Sequence, residues 1–417
     1  MRLPETIERL YLDFDGFFAS VEQQADKTLR GRPVGVVPFT NTNRTCVIAC
    51  SREAKKLGVK NVMTVDEAIN RCPDIVLVPQ KPDLYRRAHN ALLSEIETIL
   101  PIDTVKSIDE LTCKLDDRAR RDPETVAAEI KDNLAESIGD VITCSIGFAA
   151  NRQLAKIAGK QNKPDGVTIW HPHLMPGPLL NVPLDDIPGV GTRMKRRLAG
   201  LGIMDTASLY ATQPKHMRKI WNSVTGERLW YALHGYDIQA PATEKGMFGH
   251  GRVLPPESRT LDAAYEIARL LLMKAARRLR RASYYCSGLW VWLSIEDGSW
   301  QRHRSLPVVR DDAAILNALK AVWDEARATL PRRMKLFQVG VTLTDITLAS
   351  ERQMDFLLDD EGERRKWEAV TSAMDTLNYR YAKTVLSVGV GPWNPPEGGH
   401  VGGKISYTRI PTWEDFL

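Results

Sequence analysis

The spacing of hydrophobic and polar residues changes sharply within the first 22 residues. Residues 9–14 alternate and are rich in strand-forming side chains. Asp15 is a suitable helix N-cap, and Gly16 permits a tight turn. The pattern predicts a strand that carries Asp13 at its open end and turns directly into a helix. Taken alone, this Asp-x-Asp fits an ordinary helix start as well as a metal site.

Mixed helix and strand signals continue to residue 170. Residues 25–80 form a small mixed block, and apolar side chains at helical spacing predict a helix over 83–100. Further patterns predict a hairpin at 105–115, helices at 122–137 and 151–160, and strands at 141–148 and 167–170. With the first strand, these elements suit an antiparallel or mixed sheet backed by two helices, which is an α+β arrangement.

The second half of the chain changes character twice. Residues 171–237 predict short helices interrupted by Pro and Gly, and 238–250 predict a linker. Beyond the linker, the predicted elements are helices at 261–282, 311–329 and 361–377 and strands at 287–295, 300–306, 336–346 and 384–390. This order predicts a second α+β domain, with two helices over a four-stranded sheet, and an irregular tail at 393–417.

The composition is that of a soluble globular protein with more than one domain. The chain has 417 residues, of which 43% are hydrophobic and 26% are charged. No apolar run reaches the length of a membrane span, and the N-terminus lacks the apolar core of a signal peptide. These features predict a cytoplasmic, nucleoid-associated protein. The six Cys and eight His show no zinc-binding spacing, so reduced thiols are expected.

Charge is concentrated in one helix. The net charge of +5 is only mildly basic, but six cations and no acid lie between residues 267 and 283. They are Arg269, Lys274, Arg277, Arg278, Arg280 and Arg281. Such a run is either a solvated helix face or a phosphate-binding edge.

Two adjacent carboxylates, Asp109 and Glu110, interrupt the apolar hairpin predicted at 105–115. Burying both is costly unless a cation accompanies them. If this hairpin lies beside the first strand, Asp13 converges with them, and three carboxylates suit Mg²⁺ better than zinc. Two such ions can activate a hydroxyl and neutralise a leaving pyrophosphate. The alternative is a pair of unrelated surface turns.

Cationic and aromatic residues near these carboxylates suggest a triphosphate site. Arg52 and Lys55 lie one turn apart on a short predicted helix, and Lys163 sits on a turn before the strand at 167–170. Cations on separate elements can clamp a polyphosphate, although each of them, taken alone, is more often a solvated surface group. Phe17 and Phe18 follow the first strand directly, and simple helix packing is their alternative role.

A glycine-rich hairpin precedes a basic helix in the middle of the chain. Ile187-Pro188-Gly189-Val190-Gly191 leads into residues 192–198, which carry four cations. This order is typical of a helix-hairpin-helix, whose backbone N–H groups bind a phosphate without contacting bases. A plain loop is the alternative.

Together these residues closely resemble the Y-family DNA polymerases, the DinB/UmuC translesion group. The resemblance runs in order over about residues 8–392. Its motifs are Leu12-Asp13-Phe14-Asp15-Gly16-Phe17-Phe18-Ala19-Ser20-Val21-Glu22, Leu29-Arg30-Gly31-Arg32-Pro33-Val34, Glu53-Ala54-Lys55-Lys56-Leu57-Gly58-Val59-Lys60, Ser107-Ile108-Asp109-Glu110, Leu154-Ala155-Lys156-Ile157-Ala158 and Lys163-Pro164-Asp165-Gly166. It implies a multidomain right-hand polymerase, whose parts are a palm at 1–22 and 82–170, small fingers at 23–81, a helical thumb at 171–237, a linker at 238–250 and an α+β little finger at 251–392.

The resemblance also implies roles at the metal site. Asp13, Asp109 and Glu110 fall on the family's metal carboxylates, and the Phe14 carbonyl falls on its backbone ligand. The implied cofactor is a pair of Mg²⁺ ions, for which Mn²⁺ can substitute. Asp15 is not a ligand in the family, so the sequence keeps it as a helix cap.

Nucleotide contacts follow from the same resemblance. Phe17 and Phe18 are expected at the incoming nucleotide, with Phe18 as the steric gate that excludes a ribose 2′-hydroxyl. Lys163 matches the triphosphate lysine. Arg52 and Lys55 fall where many members have Tyr-x-x-Arg, so the cation at position 55 is kept and the phenol is lost.

Finer features look UmuC-like. Glu53-Ala54-Lys55 resembles that branch, and so does the tail around Ser406-Tyr407-Thr408-Arg409 and Trp413. Gln353-Met354-Asp355-Phe356-Leu357 resembles a sliding-clamp-binding peptide, although it lacks the usual final Leu-Phe. The resemblance also allows a UmuD-type accessory partner.

The sequence therefore predicts an enzyme, a DNA-directed DNA polymerase that acts on primer-template DNA and dNTPs in DNA damage tolerance and the SOS response. The basic helix of the little finger is expected to hold duplex phosphates. The rival from another class is a non-catalytic DNA-binding scaffold that recruits repair proteins to the clamp. A palm-type nucleotide cyclase is a second rival, which the hairpin and the basic C-terminal domain disfavour.

Overall fold

The computed structural model describes residues 1–40, 43, 45–238, 244–331, 333–353, 361–389 and 410–416. Across these ranges, every helix is too short or too polar to span a bilayer. Residues 1–170 fold as two mixed units. Their elements are β1 (Arg9–Phe14), α1 (Phe17–Ala25), β2 (Val34–Val37), β3 (Ala49–Cys50), α2 (Arg52–Lys56), α3 (Val65–Arg71), β4 (Val76–Pro79), α4 (Pro82–Glu97), β5 (Ile102–Val105), β6 (Glu110–Lys114), α5 (Asp117–Arg121), α6 (Pro123–Ser137), β7 (Cys144–Ala149), α7 (Arg152–Gln161) and β8 (Val167–Ile169).

The first strand lies in the middle of the larger sheet. The strand order is β5-β6-β1-β7-β8, and all pairings are antiparallel except β7–β8. Alternation places Leu10, Leu12 and Phe14 in the core, together with buried residues of α4 and α6. Tyr11 faces the opposite side and packs with α7, so Asp13, two residues on, lies on the α7 side of the sheet.

Gly147 allows α7 to approach the sheet closely. A β-carbon at Gly147 would lie 2.1 Å from the Ala155 carbonyl oxygen and 2.3 Å from the Gly159 nitrogen. Both of those atoms belong to helix backbone, so they have little freedom to move aside. This close packing brings α7, with Lys156, over the end of the sheet that carries Asp13.

We expect Gly147→Ala to lower the free energy of unfolding by about 2 kcal/mol, because overpacking a close backbone contact forces the helix away from the sheet. Urea unfolding followed by circular dichroism measures the change. Gly177→Ala is a suitable control, since a β-carbon there meets no atom within 4 Å. Equal stability of the two variants would contradict the assigned packing.

The predicted fingers have a small core of their own. Their sheet has the order β3-β2-β4, and its core includes Val37, Val47 and Ala54. The Ser51 hydroxyl caps α2 by accepting from the Ala54 N–H, and it also accepts from the Val34 N–H at 3.0 Å. These bonds fix α2, which carries Arg52 and Lys55, against the end of β2.

The predicted thumb is helical. Its helices are α8 (Gly177–Leu180), α9 (Thr192–Ala199), α10 (Thr206–Tyr210), α11 (Pro214–Trp221) and α12 (Val224–Leu233). The predicted hairpin turns at Gly189, whose φ of +101° favours glycine, and leads into α9. The Gln153 side chain donates a hydrogen bond to the Pro188 carbonyl at 3.1 Å, which ties this hairpin to α7.

The C-terminal unit is an antiparallel sheet with helices on one face. Its elements are β9 (Phe248–Val253), α13 (Leu261–Arg281), β10 (Tyr284–Ile295), β11 (Gly298–Val309), α14 (Asp312–Thr329), β12 (Leu336–Leu348) and α15 (Glu361–Arg380). The strand order is β11-β10-β12-β9. Leu289, Val291 and Val341 pack with buried residues of α13 and α14, which form the core.

The fourth strand of this sheet is not the predicted one. It is β9, which begins at Phe248, three residues before the predicted start of the little finger. Residues 384–389, predicted as a strand, form no strand in the structure. The Asn378 side chain instead accepts from the N–H groups of Val385 and Leu386 and donates to the Leu386 carbonyl. A side chain thus satisfies backbone groups that a neighbouring strand would otherwise pair.

The basic run on α13 is largely directed into the protein. Arg280 contacts Asp312 at 2.7 Å and Asp375 of α15 at 2.6 and 2.9 Å. Carbonyl groups accept hydrogen bonds from three more of its cations, Arg269, Lys274 and Arg278. These four residues therefore form a network that holds α15, β9 and the segments at Val388 and Asp415 against α13. Arg281 is exposed at the end of the helix, and the predicted DNA contact by this helix stays a prediction.

Candidate active site

The structure brings the three predicted carboxylates together. Asp13 lies opposite Glu110 in the antiparallel register of β1 and β6. The Phe14 N–H donates to the Asp109 carbonyl at 2.9 Å, so the turn before β6 is joined to the last residue of β1. The three side chains thus meet at one end of the sheet, as the sequence predicted.

Asp13 is the most perturbed of these acids. Burial raises the pKa of Asp13 to about 6, the ion pair with Lys163 lowers it, and repulsion from Asp109 and Glu110 adds to the increase. The charge of Lys163 therefore offsets only part of the increase in pKa that burial and the two neighbouring carboxylates cause at Asp13. A site with this balance favours the binding of additional cations.

Glu110 has a different counter-charge. The Lys156 ammonium on α7 donates to both of its carboxylate oxygens, at 2.8 and 3.0 Å. Burial alone would raise the pKa of Glu110, but hydrogen bonds and the charge of Lys156 outweigh it and lower the pKa. Sequence patterns predicted no role for Lys156, and its one signal was its place within the family motif at 154–158.

Two further residues hold the turn that carries Asp109. The Ser107 hydroxyl donates to the Asp109 carboxylate. His89 on α4 is buried, and its Nδ1 lies 2.8 Å from the Ile108 carbonyl oxygen. Burial lowers the pKa of His89, which favours the neutral ring with Nδ1–H as the donor. The sequence did not identify either contact.

The predicted triphosphate cations surround the same end of β1. Lys163 contacts Asp13, and the Arg52 guanidinium donates to the Thr143 hydroxyl at 2.8 Å. Lys55 lies over the turn after β1, since a β-carbon at Gly16 would be 3.6 Å from its ammonium nitrogen. Three cations from the fingers and palm therefore lie around this end of β1.

Asp15 does not cap α1, so that prediction is wrong. Gly16 occupies the N-cap position, with φ of +58°, and α1 has no side-chain cap. The Asp15 carboxylate instead accepts from the hydroxyls of Thr143 and Ser145 and from the Asp165 N–H. It therefore binds β1 to β7 and to the turn that carries Lys163.

Phe17 and Phe18 have different environments. Phe17 is buried in the core, so its ring is directed away from any nucleotide and only its backbone remains for that predicted contact. Phe18 is partly exposed and stacks on Tyr85, with ring centroids 4.5 Å apart. The Tyr85 hydroxyl donates to the buried Glu22 carboxylate at 2.9 Å. The Phe18 ring is thus supported by a fixed aromatic platform.

The donor set suits a hard divalent cation. Carboxylate oxygens together with a backbone carbonyl are the ligands that Mg²⁺ prefers. Burial, and to a smaller degree repulsion from Asp109 and Glu110, raises the pKa of Asp13, so a bound cation would favour its ionised form. As they stand, the acidic, His and Cys side chains of the described residues form no group of three ready to hold an ion. Lys163 and Lys156 neutralise two of the three acids instead.

Known proteins share both parts of the chain. Residues 12–160 match the impB/mucB/samB family, and residues 247–356 match its C-terminal domain. DNA polymerase IV of Moorella thermoacetica is 33% identical over 395 residues, which cover 90% of this chain and 94% of that protein. DNA polymerase IV 1 of Bacillus subtilis is 27% identical over 91% of this chain and 92% of its own length.

Solved structures agree with the sequence relatives. A Y-family DNA polymerase chimera matches with a TM-score of 0.68 and 24% identity, over 82% of this chain and 99% of its own. A post-insertion binary complex of Dbh DNA polymerase has a TM-score of 0.54 at 25% identity over the same shares. The chain therefore belongs to the Y family of DNA polymerases, which are DNA-directed DNA polymerases. The predicted multidomain right-hand fold is confirmed.

Some finer predictions are not tested by these similarities. The relatives carry the name DNA polymerase IV, so the UmuC-like branch stays a prediction. Of the predicted clamp-binding peptide, only Gln353 belongs to the described residues, and 354–357 lie outside them. Most of the predicted tail, including 406–409, also lies outside the described residues.

Proposed function

We propose that this protein is a translesion-type DNA polymerase that transfers nucleotides from dNTPs to a primer 3′ end with two metal ions, in DNA damage tolerance. The observation that carries the proposal is the meeting of Asp13, Asp109 and Glu110 at the end of β1. Lys163 and Arg52 reach the same end from two other elements. The DNA polymerase names of the relatives support the choice of reaction.

Each group in the site has a task in this reaction. Asp13, Asp109, Glu110 and the Phe14 carbonyl would hold Mg²⁺, or Mn²⁺ in its place; when bound, the ions would activate the primer hydroxyl and offset charge on the leaving pyrophosphate. Lys156 keeps Glu110 ionised and oriented, since it donates to both carboxylate oxygens. Lys163, Arg52 and Lys55 bind the triphosphate through charge-assisted hydrogen bonds.

The primer end reaches the carboxylate cluster, but most of the DNA is bound elsewhere on the protein, mainly through its phosphates. The hairpin at 187–191 presents backbone N–H groups, and α9 follows it with exposed Arg193 and Arg196. The glycine-rich turn and these cations suit a sequence-independent contact with one strand. Binding should therefore weaken steeply as salt is added.

Three further assignments belong to the same proposal. The domain boundaries are those of a palm, fingers, thumb and little finger, with the little finger extended to include β9. A sliding clamp binds the peptide that begins at Gln353, and a UmuD-type protein is a further candidate partner. The enzyme works in the cytoplasm at the nucleoid, where primer-template DNA is available.

A primer-extension assay tests the proposed reaction. Labelled primer-template, dNTPs and Mg²⁺ are incubated with the protein, and the products are separated on a denaturing gel. We expect template-directed addition of nucleotides that stops when Mg²⁺ is chelated. If the intact protein binds the DNA without extending the primer, the scaffold rival is correct.

A further inference from the structure

We propose that Asp15 is a positioning residue that sets two triphosphate cations at once, Lys163 of the palm and Arg52 of the fingers. This inference rests on the proposed function, because it assigns the second acid of the Asp-x-Asp to the nucleotide-binding side of the same site. Asp15 itself touches neither the triphosphate nor the metal in this assignment. It acts through two separate hydrogen-bonded routes.

The first route leads to Lys163. Asp15 accepts from the Asp165 N–H at 2.8 Å, and Asp165 belongs to the same turn as Lys163. This turn is tightly closed, since a β-carbon at Gly166 would lie 1.7 Å from the Asn162 carbonyl oxygen. A tight turn moves as a unit, so anchoring its amide to the end of β1 also places Lys163. The Lys163 ammonium lies 4.0 Å from the Asp15 carboxylate.

The second route leads to Arg52. The Thr143 hydroxyl donates to Asp15 at 3.0 Å and accepts from the Arg52 guanidinium at 2.8 Å. A hydroxyl has a single proton to donate. Because Thr143 gives that proton to Asp15, its lone pairs are directed to Arg52, and the carboxylate thereby fixes the direction of a contact between palm and fingers.

Both routes meet at a single charged oxygen, since Asp15 Oδ2 accepts from the Thr143 hydroxyl and from the Asp165 N–H. Asp15 accepts from Thr143, from the Ser145 hydroxyl at 2.8 Å and from the Asp165 N–H, while its side chain is only 9% exposed. An ionised carboxylate is purely an acceptor. Asn has nearly the same shape, and its one oxygen can take the place of Oδ2 while its NH₂ group donates to the Ser145 hydroxyl, but it lacks the negative charge that strengthens both routes and attracts Lys163. Asp15→Asn therefore disturbs the routes with little change in volume.

Direct nucleotide binding tests this assignment without any chemical step. The affinity of a matched dNTP is measured for the complex of the full-length protein with a primer-template whose primer ends in a dideoxynucleotide. We expect Asp15→Asn to weaken dNTP binding about tenfold, equal to about 1.4 kcal/mol, and to leave primer-template affinity within about twofold. A merely structural defect would weaken both.

Two controls separate positioning from general damage. Ser145→Ala removes a hydrogen bond to Asp15 that leads to no cation, so dNTP affinity should stay within about twofold. In a background that already carries Lys163→Ala and Arg52→Ala, Asp15→Asn should add less than about twofold, because residues that act through the same partners are not additive. Thr143→Val breaks only the Arg52 route, so its effect should vanish once Arg52 is replaced.

The inference is overturned if Asp15→Asn keeps its full effect in the background without the two cations, or if Ser145→Ala weakens dNTP binding equally. Should Asp15→Asn fail to fold, Thr143→Val tests the Arg52 route instead. If Thr143→Val still weakens dNTP binding in a protein that carries Arg52→Ala, that route is rejected. The proposed function fails separately, when the unaltered protein binds a matched dNTP in this assay yet extends no primer.

Discussion

Replacing Asp109 and Glu110 together with Ala is expected to lower primer extension by about 10³-fold or more, while primer-template binding is retained. Removing one electrostatic stabiliser from an active site typically costs 10²–10³ in rate, and here two carboxylates are lost together. Asp13 would remain, paired with Lys163, and one carboxylate cannot hold two divalent cations. The DNA contacts assigned to the thumb are unaffected.

A pair of acids elsewhere in the chain provides the matched control. Glu296 and Asp297 are adjacent, exposed and located in the turn between β10 and β11, so replacing both with Ala removes the same charge. Extension should stay close to that of the unaltered protein, and both variants should bind labelled primer-template with equal affinity at one salt concentration. Extension at the unaltered rate by the Asp109 and Glu110 variant would reject the polymerase assignment.

The sequence predicted the carboxylate site because each strand could be identified from its own residues. Alternation in β1 fixed which side chains face the core, and the acids at 109–110 marked the turn before β6. The pairing of Asp13 with Glu110 was not encoded in either pattern alone. It followed from the expectation that the two strands are neighbours, which the resemblance to a known family supplied.

Asp15 shows what local patterns cannot predict. Its carboxylate partners Thr143 and Asp165 lie 128 and 150 positions away in the chain. With only its neighbours to consider, Asp before a helix is best explained as a cap. Tertiary hydrogen bonds with three donors outweigh the single bond that a cap would make, so the side chain turns to β7 and leaves the helix end to Gly16.

The partners of the basic run on α13 could not be predicted for the same reason. No acid lies within residues 267–283, which suggested a solvated face or a phosphate-binding edge, but the acids that pair with Arg280 come from α14 and α15. A buried guanidinium needs such partners, and a distant helix can supply them. A prediction made only from the charges within α13 therefore could not include the acids on other helices that neutralise Arg280.

Phe18→Ala is expected to lower the preference for dNTPs over rNTPs by about 10²-fold, the scale on which steric contact in a pocket rejects an added hydroxyl. The Phe18 ring stacks on Tyr85 at 4.5 Å, and Tyr85 is held by its bond to Glu22. Because the support is fixed, the ring cannot yield to a 2′-hydroxyl. Values of kcat/KM for a dNTP and its rNTP opposite one template base give the ratio.

Phe18→Tyr is the control, because it keeps the ring and its stacking on Tyr85 and should preserve most of the preference. Incorporation of dNTPs by Phe18→Ala should persist, since the carboxylates and the triphosphate cations are untouched. If Phe18→Ala instead loses incorporation of both dNTPs and rNTPs, Phe18 serves mainly in helix packing. That is the alternative role considered from its position next to Phe17. Unchanged selectivity in Phe18→Ala would show that another group excludes the ribose hydroxyl.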